Sequence, residues 1–213
     1  RQRQMCIRDR SGVVRRVGSS PISRTKNKLE AFKILSWRLF NWLDMNKHQL
    51  CCIGHITLDK VVTPQNTVYM PGGTAFYCSH AIRHFNDIDY ALVTAVGVTE
   101  MNVVEQLREM GIHVTALPSK YSVYFENIYG ANPDDRTQRV LAKADPFTAG
   151  QLKDIDAQIY HLGSLLADDF SLEVIKELSQ KGLIAVDSQG YLREVRDTHV
   201  YPCLLYTSDA ADD

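Results

Sequence analysis

The residues best suited to chemistry are an acid and a pair of glycines: Asp59 in "GHITLDKVV", and Gly72 and Gly73 in "MPGGTAF". Asp59 is expected just past the carboxyl end of a first strand. Gly72 and Gly73 are expected at the entry to the following helix. In open α/β sheets, ligands bind outside the carboxyl ends of the strands. A carboxylate there accepts hydrogen bonds from hydroxyl groups. Glycines at a helix entry leave backbone N–H groups uncovered and let a ligand sit close. The two features together suit a polyhydroxyl ligand. As a pattern alone, a surface aspartate and a structural Gly-Gly turn is the default reading.

Other candidates carry weaker chemistry. His80 and His84 have the i, i+4 spacing of metal ligands, but Ala81, Ile82 and Arg83 lie between them. A zinc hydrolase needs H-E-x-x-H, so the pair reads as one helix face. His55 and His161 fall in or beside strands and are expected as hydrogen-bonded histidines near a pocket. Asp168 and Asp169 precede a helix whose expected cap is Ser171, and they read as a solvated turn. Neither G-x-G-x-x-G nor G-x-x-x-x-G-K-[ST] occurs.

The elements that must position these residues follow from periodicity. "QLCCIGHITLD" is an apolar run of strand length. "TAFYCSHAIRHF" places Ala75, Cys78, Ile82 and Phe85 on one helical stripe. "YALVTAVG" is a buried strand and "EMNVVEQLREMG" a helix with Val104 and Leu107 inward, stopped at Gly111. "IHVTAL" is a strand. "SVYFENIYG" and "TQRVLAKA" flank the turn-rich "ANPDDR" as a hairpin. Thr148 and Gln151 have capping-box spacing. "AQIYHLGSLL" is a strand, "SLEVIKELSQKG" a helix, and "LIAVDSQG" a strand ending at Asp187. Alternating strands and helices predict an α/β domain, a mainly parallel sheet with helices on both faces. Segments 60–70 and 118–143 break the alternation. They are expected to form a small second sheet, placed as a lid.

Composition sets outer limits. The 213 residues are 45% hydrophobic and 23% charged, with net charge -1, so no nucleic-acid or membrane partner is expected for the body of the chain. Charge is unevenly spread: residues 1–44 hold eleven Lys/Arg against three Asp/Glu, and the rest 13 against 22. Cys6, Cys51, Cys52, Cys78 and Cys203 lack C-x-x-C spacing and read as thiols of a reducing compartment, which predicts a cytoplasmic protein. No apolar run is long enough to span a bilayer.

The ends read differently from the body. Back-translated with suitable codons, residues 203–212 give a DNA strand whose complement encodes the string at residues 1–9. That element resembles a transposon-end adapter used in preparing sequencing libraries. Residues 1–10 and 203–213 are therefore expected to be translated scar. Residues 11–44 include "LEAFKILSWRLFNWLD", readable as an amphipathic surface helix or as upstream DNA read in frame before a start at Met45. The second reading is preferred. It leaves residues 45–202 as a partial α/β domain, truncated before its carboxyl-terminal half.

"CCIGHITLDKVV", "PGGTAFYCSHAI" and "LVTAVG" together resemble the amino-terminal half of the ribokinase-like (pfkB) carbohydrate kinases. "KADPFT" and "HLGSLL" are also similar to family sequences. The resemblance implies a phosphotransferase with an alcohol group as acceptor, moving the γ-phosphoryl group of ATP, with Mg2+, to a sugar or polyol hydroxyl. It implies that Asp59 holds sugar hydroxyls, that Gly72 and Gly73 line the pocket, and that the second sheet covers it. It also implies a possible homodimer through that lid. Thr57 and Tyr77 stand where many relatives carry sugar-contacting Asn. The family's D-T-x-G-A-G-D motif, with its proton-accepting Asp and Gly-rich phosphate turn, does not occur here. No catalytic, ATP-binding or Mg2+-binding residue is therefore expected within this chain, which by itself is expected to be inactive and prone to aggregate. A nucleoside kinase of the same fold, with Tyr77 stacking on a base, and a non-catalytic sugar-binding protein are the alternatives.

Overall fold

The computed structural model describes residues 47–202 apart from 86 and 133, so the expectations for residues 1–46 and 203–213 lie outside the described residues. In chain order the elements are β1 (His48–Gly54), β2 (Thr57–Val62), β3 (Thr67–Gly72), α1 (Gly73–Ile82), β4 (Tyr90–Val96), α2 (Met101–Glu109), β5 (His113–Pro118) and β6 (Val123–Tyr129). There follow β7 (Arg136–Ala142), α3 (Ala149–Leu152), β8 (Ala157–Gly163), α4 (Leu172–Lys181), β9 (Leu183–Val186), β10 (Arg193–Arg196) and β11 (His199–Pro202).

Five strands form a sheet in the order β5-β4-β1-β8-β9, with every neighbouring pair parallel. Alternation along β1 and β4 divides their side chains between two faces. Cys51, Ile53, Ala91 and Val93 pack with Leu152 of α3 and with Val174 and Leu178 of α4. Cys52, Tyr90 and Leu92 pack with Ala75 of α1 and with Val104 and Leu107 of α2. Covered on both faces, these strands read as continuous apolar runs. Fully burying a leucine such as Leu107 or Leu178 contributes on the order of 2 kcal/mol. The Ser171 hydroxyl caps α4 by accepting from Val174 N at 3.3 Å.

The second sheet has six strands in the order β10-β11-β7-β6-β2-β3. The β6–β7 hairpin pairs antiparallel, while β2 pairs parallel with β6. Together the layers make the ribokinase-like α/β fold: a five-stranded parallel sheet between helices, with a second sheet beside it that, expected to be small, has six strands.

Several local expectations need correction. "QLCCIGHITLD" is not one strand. The chain leaves the parallel sheet after Gly54 and restarts at Thr57 in the second sheet, so Asp59 lies inside β2 rather than past the end of β1. An apolar run shows burial but not a change of pairing partner. Phe85 does not share the helical stripe, because α1 ends at Ile82 and Phe85 is exposed. His84 also lies beyond α1, so His80 and His84 do not share a helix face. The strands β10 and β11 were not expected at all.

Candidate functional site

The parallel sheet has its switch point at β1. The chain places β4 and β5 on one side of it, then β8 and β9 on the other. A crevice forms beyond the carboxyl ends of strands at such a point. Here Gly73 and Thr74 begin α1, Leu165 follows β8 and Gln189 follows β9, and all four line one cavity of about 700 Å³.

The second sheet supplies the facing wall by period-two alternation. Thr57, Asp59 and Val61 of β2, Phe125, Asn127 and Tyr129 of β6, and Arg136 and Gln138 of β7 all reach the cavity. Register aligns them: Asp59 lies opposite Phe125, Val61 opposite Asn127, and Tyr129 opposite Arg136. The opposite face of the same strands carries Lys60, Glu126 and Arg139. Lys60 Nζ donates to Glu126 Oε1 at 2.9 Å and Arg139 Nη1 to Oε2 at 3.1 Å. Lys60 thereby holds the Glu126 carboxyl below the usual carboxylate range.

Asp59 and the glycines are brought together. Thr57 Oγ1 donates to Asp59 Oδ1 at 2.8 Å. A Cβ at Gly72 would collide with Asp59 Oδ2 and stand 2.9 Å from Thr57 Oγ1. Gly72 is therefore what makes room for the carboxylate. Gly73 has φ +89, and a Cβ there would stand 2.5 Å from the backbone oxygen of His55. Burial raises the Asp59 pKa, while the Thr57 hydroxyl and the Arg193 charge oppose the rise. Tyr77 lies at the cavity rim, 54% exposed. Thus Thr57, Asp59, Gly73 and Tyr77 line one space, and Gly72 backs the acid.

The cavity also holds residues that carried no signal in the sequence. Arg193, from β10, donates through Nη1 to Leu165 O at 3.0 Å and through Nη2 to Gln189 Oε1 at 3.2 Å. Its guanidinium lies over the Phe125 ring, 5.4 Å from the centroid. Burial lowers its pKa and the charge of Arg136 adds to this, while Asp187, Asp59 and Asp169 oppose it. Thr74 Oγ1 donates to Asp187 Oδ2 at 2.9 Å, and Gln189 Nε2 donates to the same oxygen at 2.7 Å. Asn127 and Gln138 are joined by a 2.8 Å amide hydrogen bond. One acid, two guanidiniums and several amides converge here. That set can accept from hydroxyl groups and balance an oxygen-rich or anionic group.

Asp168 keeps to the expected solvated turn, and Asp169 departs from it. Asp168 is exposed and pairs with Lys143 at 3.0 Å. Asp169 is buried, and its Oδ2 accepts from Leu165 N at 2.7 Å and Leu166 N at 3.0 Å. It thereby fixes the loop whose Leu165 lines the cavity. Its Oδ1 faces His55 Nε2 at 3.6 Å, while His55 Nδ1 donates to Ala95 O at 3.3 Å. His55 is fully buried and stacks on Phe147 at 4.5 Å. Burial lowers the His55 pKa and raises that of Asp169, which favours the neutral forms of both. His161 lies on β8 away from the cavity lining. Among the described residues, no group of three or more His, Cys, Asp or Glu could hold a metal. None is assigned to ATP or Mg2+. No described helix is long and apolar enough to cross a membrane.

No family model matches the chain, and no curated protein matches it. Solved structures do. A pyrophosphate-dependent kinase in the ribokinase family, in a sulfate complex, is 25% identical at a TM-score of 0.63, over 72% of this chain and 55% of that one. A pyrophosphate-dependent kinase of the same family, complexed with a pyrophosphate analog and myo-inositol, is 23% identical at 0.62, over 72% and 54%. A Burkholderia thailandensis nucleoside kinase in complex with inosine is 18% identical at 0.53, over 67% and 53%. The chain therefore spans about half the length of the structures it matches.

Proposed function

We propose that this chain is the acceptor-binding part of a phosphotransferase that moves a phosphoryl group from ATP to a hydroxyl of a sugar or polyol. The observation that carries the reading is the placement of Asp59. Its carboxylate, oriented by Thr57 and accommodated by Gly72, sits in a cavity closed on one side by the amino terminus of α1 and on the other by the second sheet. Asp59 and Thr57 hold acceptor hydroxyls, Gly73 permits close approach, and the second sheet covers the ligand as a lid. Tyr77 at the rim contacts the outer part of the acceptor. The likeness to kinases, one of them in complex with myo-inositol, supports a polyol acceptor.

Neither the proton acceptor nor the phosphate-binding turn is assigned to a residue of this chain. Phosphoryl transfer draws on positioning and charge stabilisation, and the described residues supply the acceptor side of both. Mg2+ and the donor would be held elsewhere in a longer protein. The cytoplasm and a homodimer through the second sheet belong to the same proposal.

The test is a phosphoryl-transfer assay of the protein that carries this chain, with Mg2+. ATP and pyrophosphate serve in turn as donors, against myo-inositol, ribose, fructose 6-phosphate, adenosine and inosine. Transfer to a sugar or polyol from ATP is expected. Turnover of nucleosides alone would favour a nucleoside kinase, with Tyr77 at the base. No transfer to any acceptor, with binding retained, would favour a non-catalytic sugar-binding protein.

A further inference from the structure

His55 is fully buried, yet its Nε2 has no hydrogen-bond partner among the described residues. The other ring nitrogen fixes the tautomer. Nδ1 lies 3.3 Å from Ala95 O, and a carbonyl oxygen only accepts, so Nδ1 carries a hydrogen. Nε2 then holds a lone pair or, in the cation, a second hydrogen. The atom facing it is Asp169 Oδ1 at 3.6 Å, and the two side chains are 0% and 6% exposed. The other carboxyl oxygen, Oδ2, is engaged by the Leu165 and Leu166 amides. Phe147 stacks on the His55 ring at 4.5 Å and on Phe170 at 5.0 Å, which walls the pair with apolar rings. An ionised carboxylate beside a neutral imidazole would set two acceptors face to face there, a costly arrangement away from water. One proton between Nε2 and Oδ1 removes the conflict, whichever atom holds it. At 3.6 Å the pair stands just outside hydrogen-bond range, so a proton can tighten the contact and its loss can open it.

We propose that one proton held between His55 and Asp169 latches the loop between β8 and α4 that floors the cavity, and that its loss as the pH rises releases that loop. The chain of contacts is short. Asp169 Oδ2 holds the amides of Leu165 and Leu166. Leu165 lines the cavity, and its carbonyl oxygen accepts from Arg193. With the proton present the pair is neutral overall and needs no counter-charge. Once the proton leaves, a buried negative charge faces the imidazole lone pair. Asp169 relieves this by turning toward water, which takes the acceptor away from both amides. The surrounding charges act in both directions. Asp168 and Asp145 favour retention of the proton, although Lys143 offsets Asp168 through their ion pair. Arg193 favours its loss, and Tyr191 is the remaining titratable group that faces Asp169. Burial raises the Asp169 pKa, so the folded state keeps the carboxyl proton above the unfolded value of about 4. The latch is thus present below the pair's folded value and lost as the pH rises through it. This inference is independent of the proposed kinase activity.

The test is an NMR titration of the full chain from pH 7 to pH 10, with carbon labels in the aspartate carboxyls and nitrogen labels in the histidine rings. At pH 7 the pair should show its extra proton, as a protonated Asp169 carboxyl or as a doubly protonated His55 ring. Both resonances should then move at one shared midpoint. Across that midpoint the protection of the Leu165 and Leu166 amides from hydrogen exchange, corrected for the intrinsic effect of pH, should fall at least about tenfold while β1 keeps its protection. Asp169→Asn offers an oxygen to the amides and an NH2 group to Nε2, so it should hold the protection with no such step. The wild-type titration decides even where the variant fails to fold. An ionised Asp169 beside a neutral His55 at pH 7, a pair that keeps its proton up to pH 10, unchanged protection across the midpoint, or an equal step in Asp169→Asn would each overturn the proposal.

Discussion

Gly72 and Gly73 are neighbours with different physical duties, and substitutions should separate them. Gly73 has positive φ, and an added Cβ meets backbone, the His55 oxygen, which cannot swing away. Gly73→Ala should therefore destabilise the fold, on the order of 2 kcal/mol, read as a lowered midpoint in urea. At Gly72 the added Cβ meets the Asp59 carboxylate, a side chain that can rotate. Gly72→Ala should leave the midpoint nearly unchanged and instead weaken polyol binding about tenfold or more, since the acceptor group is displaced. Equal effects of the two variants on stability would refute this division. The Gly-Gly pair was legible in the sequence as an open turn, but which glycine serves the backbone and which serves the acid depends on β2 lying against β3.

Among the elements, the loop between β8 and α4 positions the cavity floor, and the buried Asp169 side chain holds two of its amides. Asp169 accepts from the amides of Leu165 and Leu166, and Arg193 donates to Leu165 O from the far side. Asp169→Ala would leave two buried amides without an acceptor, at a cost on the order of 3 kcal/mol. Asp169→Asn keeps an acceptor oxygen and should cost clearly less. Thermal unfolding of the two variants checks this, and equal losses would remove the hydrogen bonds as the cause. The sequence could not show this role, because the Asp168–Asp169 pair has the composition of a surface turn and burial is decided by the distant His55 and Phe147. The alternation of Phe125, Asn127 and Tyr129 was present in the sequence, and so was that of Arg136 and Gln138. It could be assigned to a cavity only once Asp59 was placed on the same sheet. Arg193 had no such signal, as it joins the site through β10, which pairs with β11, which in turn pairs with β7. The parallel strands were legible because burial on both faces leaves long apolar runs.

For the whole molecule, two sheets of different construction meet at one cavity. The parallel sheet brings helix and strand ends to its floor, and the second sheet offers one polar face as its wall. Asp59 stands at that meeting point, and the central claim is that its ionised carboxylate binds acceptor hydroxyls. Burial raises its pKa, so the folded state holds the proton more tightly than the unfolded chain. Ionisation thus costs stability, a cost absent below the unfolded value near 4 and complete above the folded one. Binding should run the other way, weakening as pH falls through the raised folded value. The most direct measurement is a calorimetric titration of the carrying protein with the tightest-binding polyol of the acceptor panel, for wild type and Asp59→Asn, from pH 7 downward. The account predicts an affinity loss of roughly 10- to 100-fold for Asp59→Asn at pH 7, and a wild-type affinity that declines toward the variant's as the pH falls. Equal affinities at pH 7, or a wild-type affinity indifferent to pH, would contradict it.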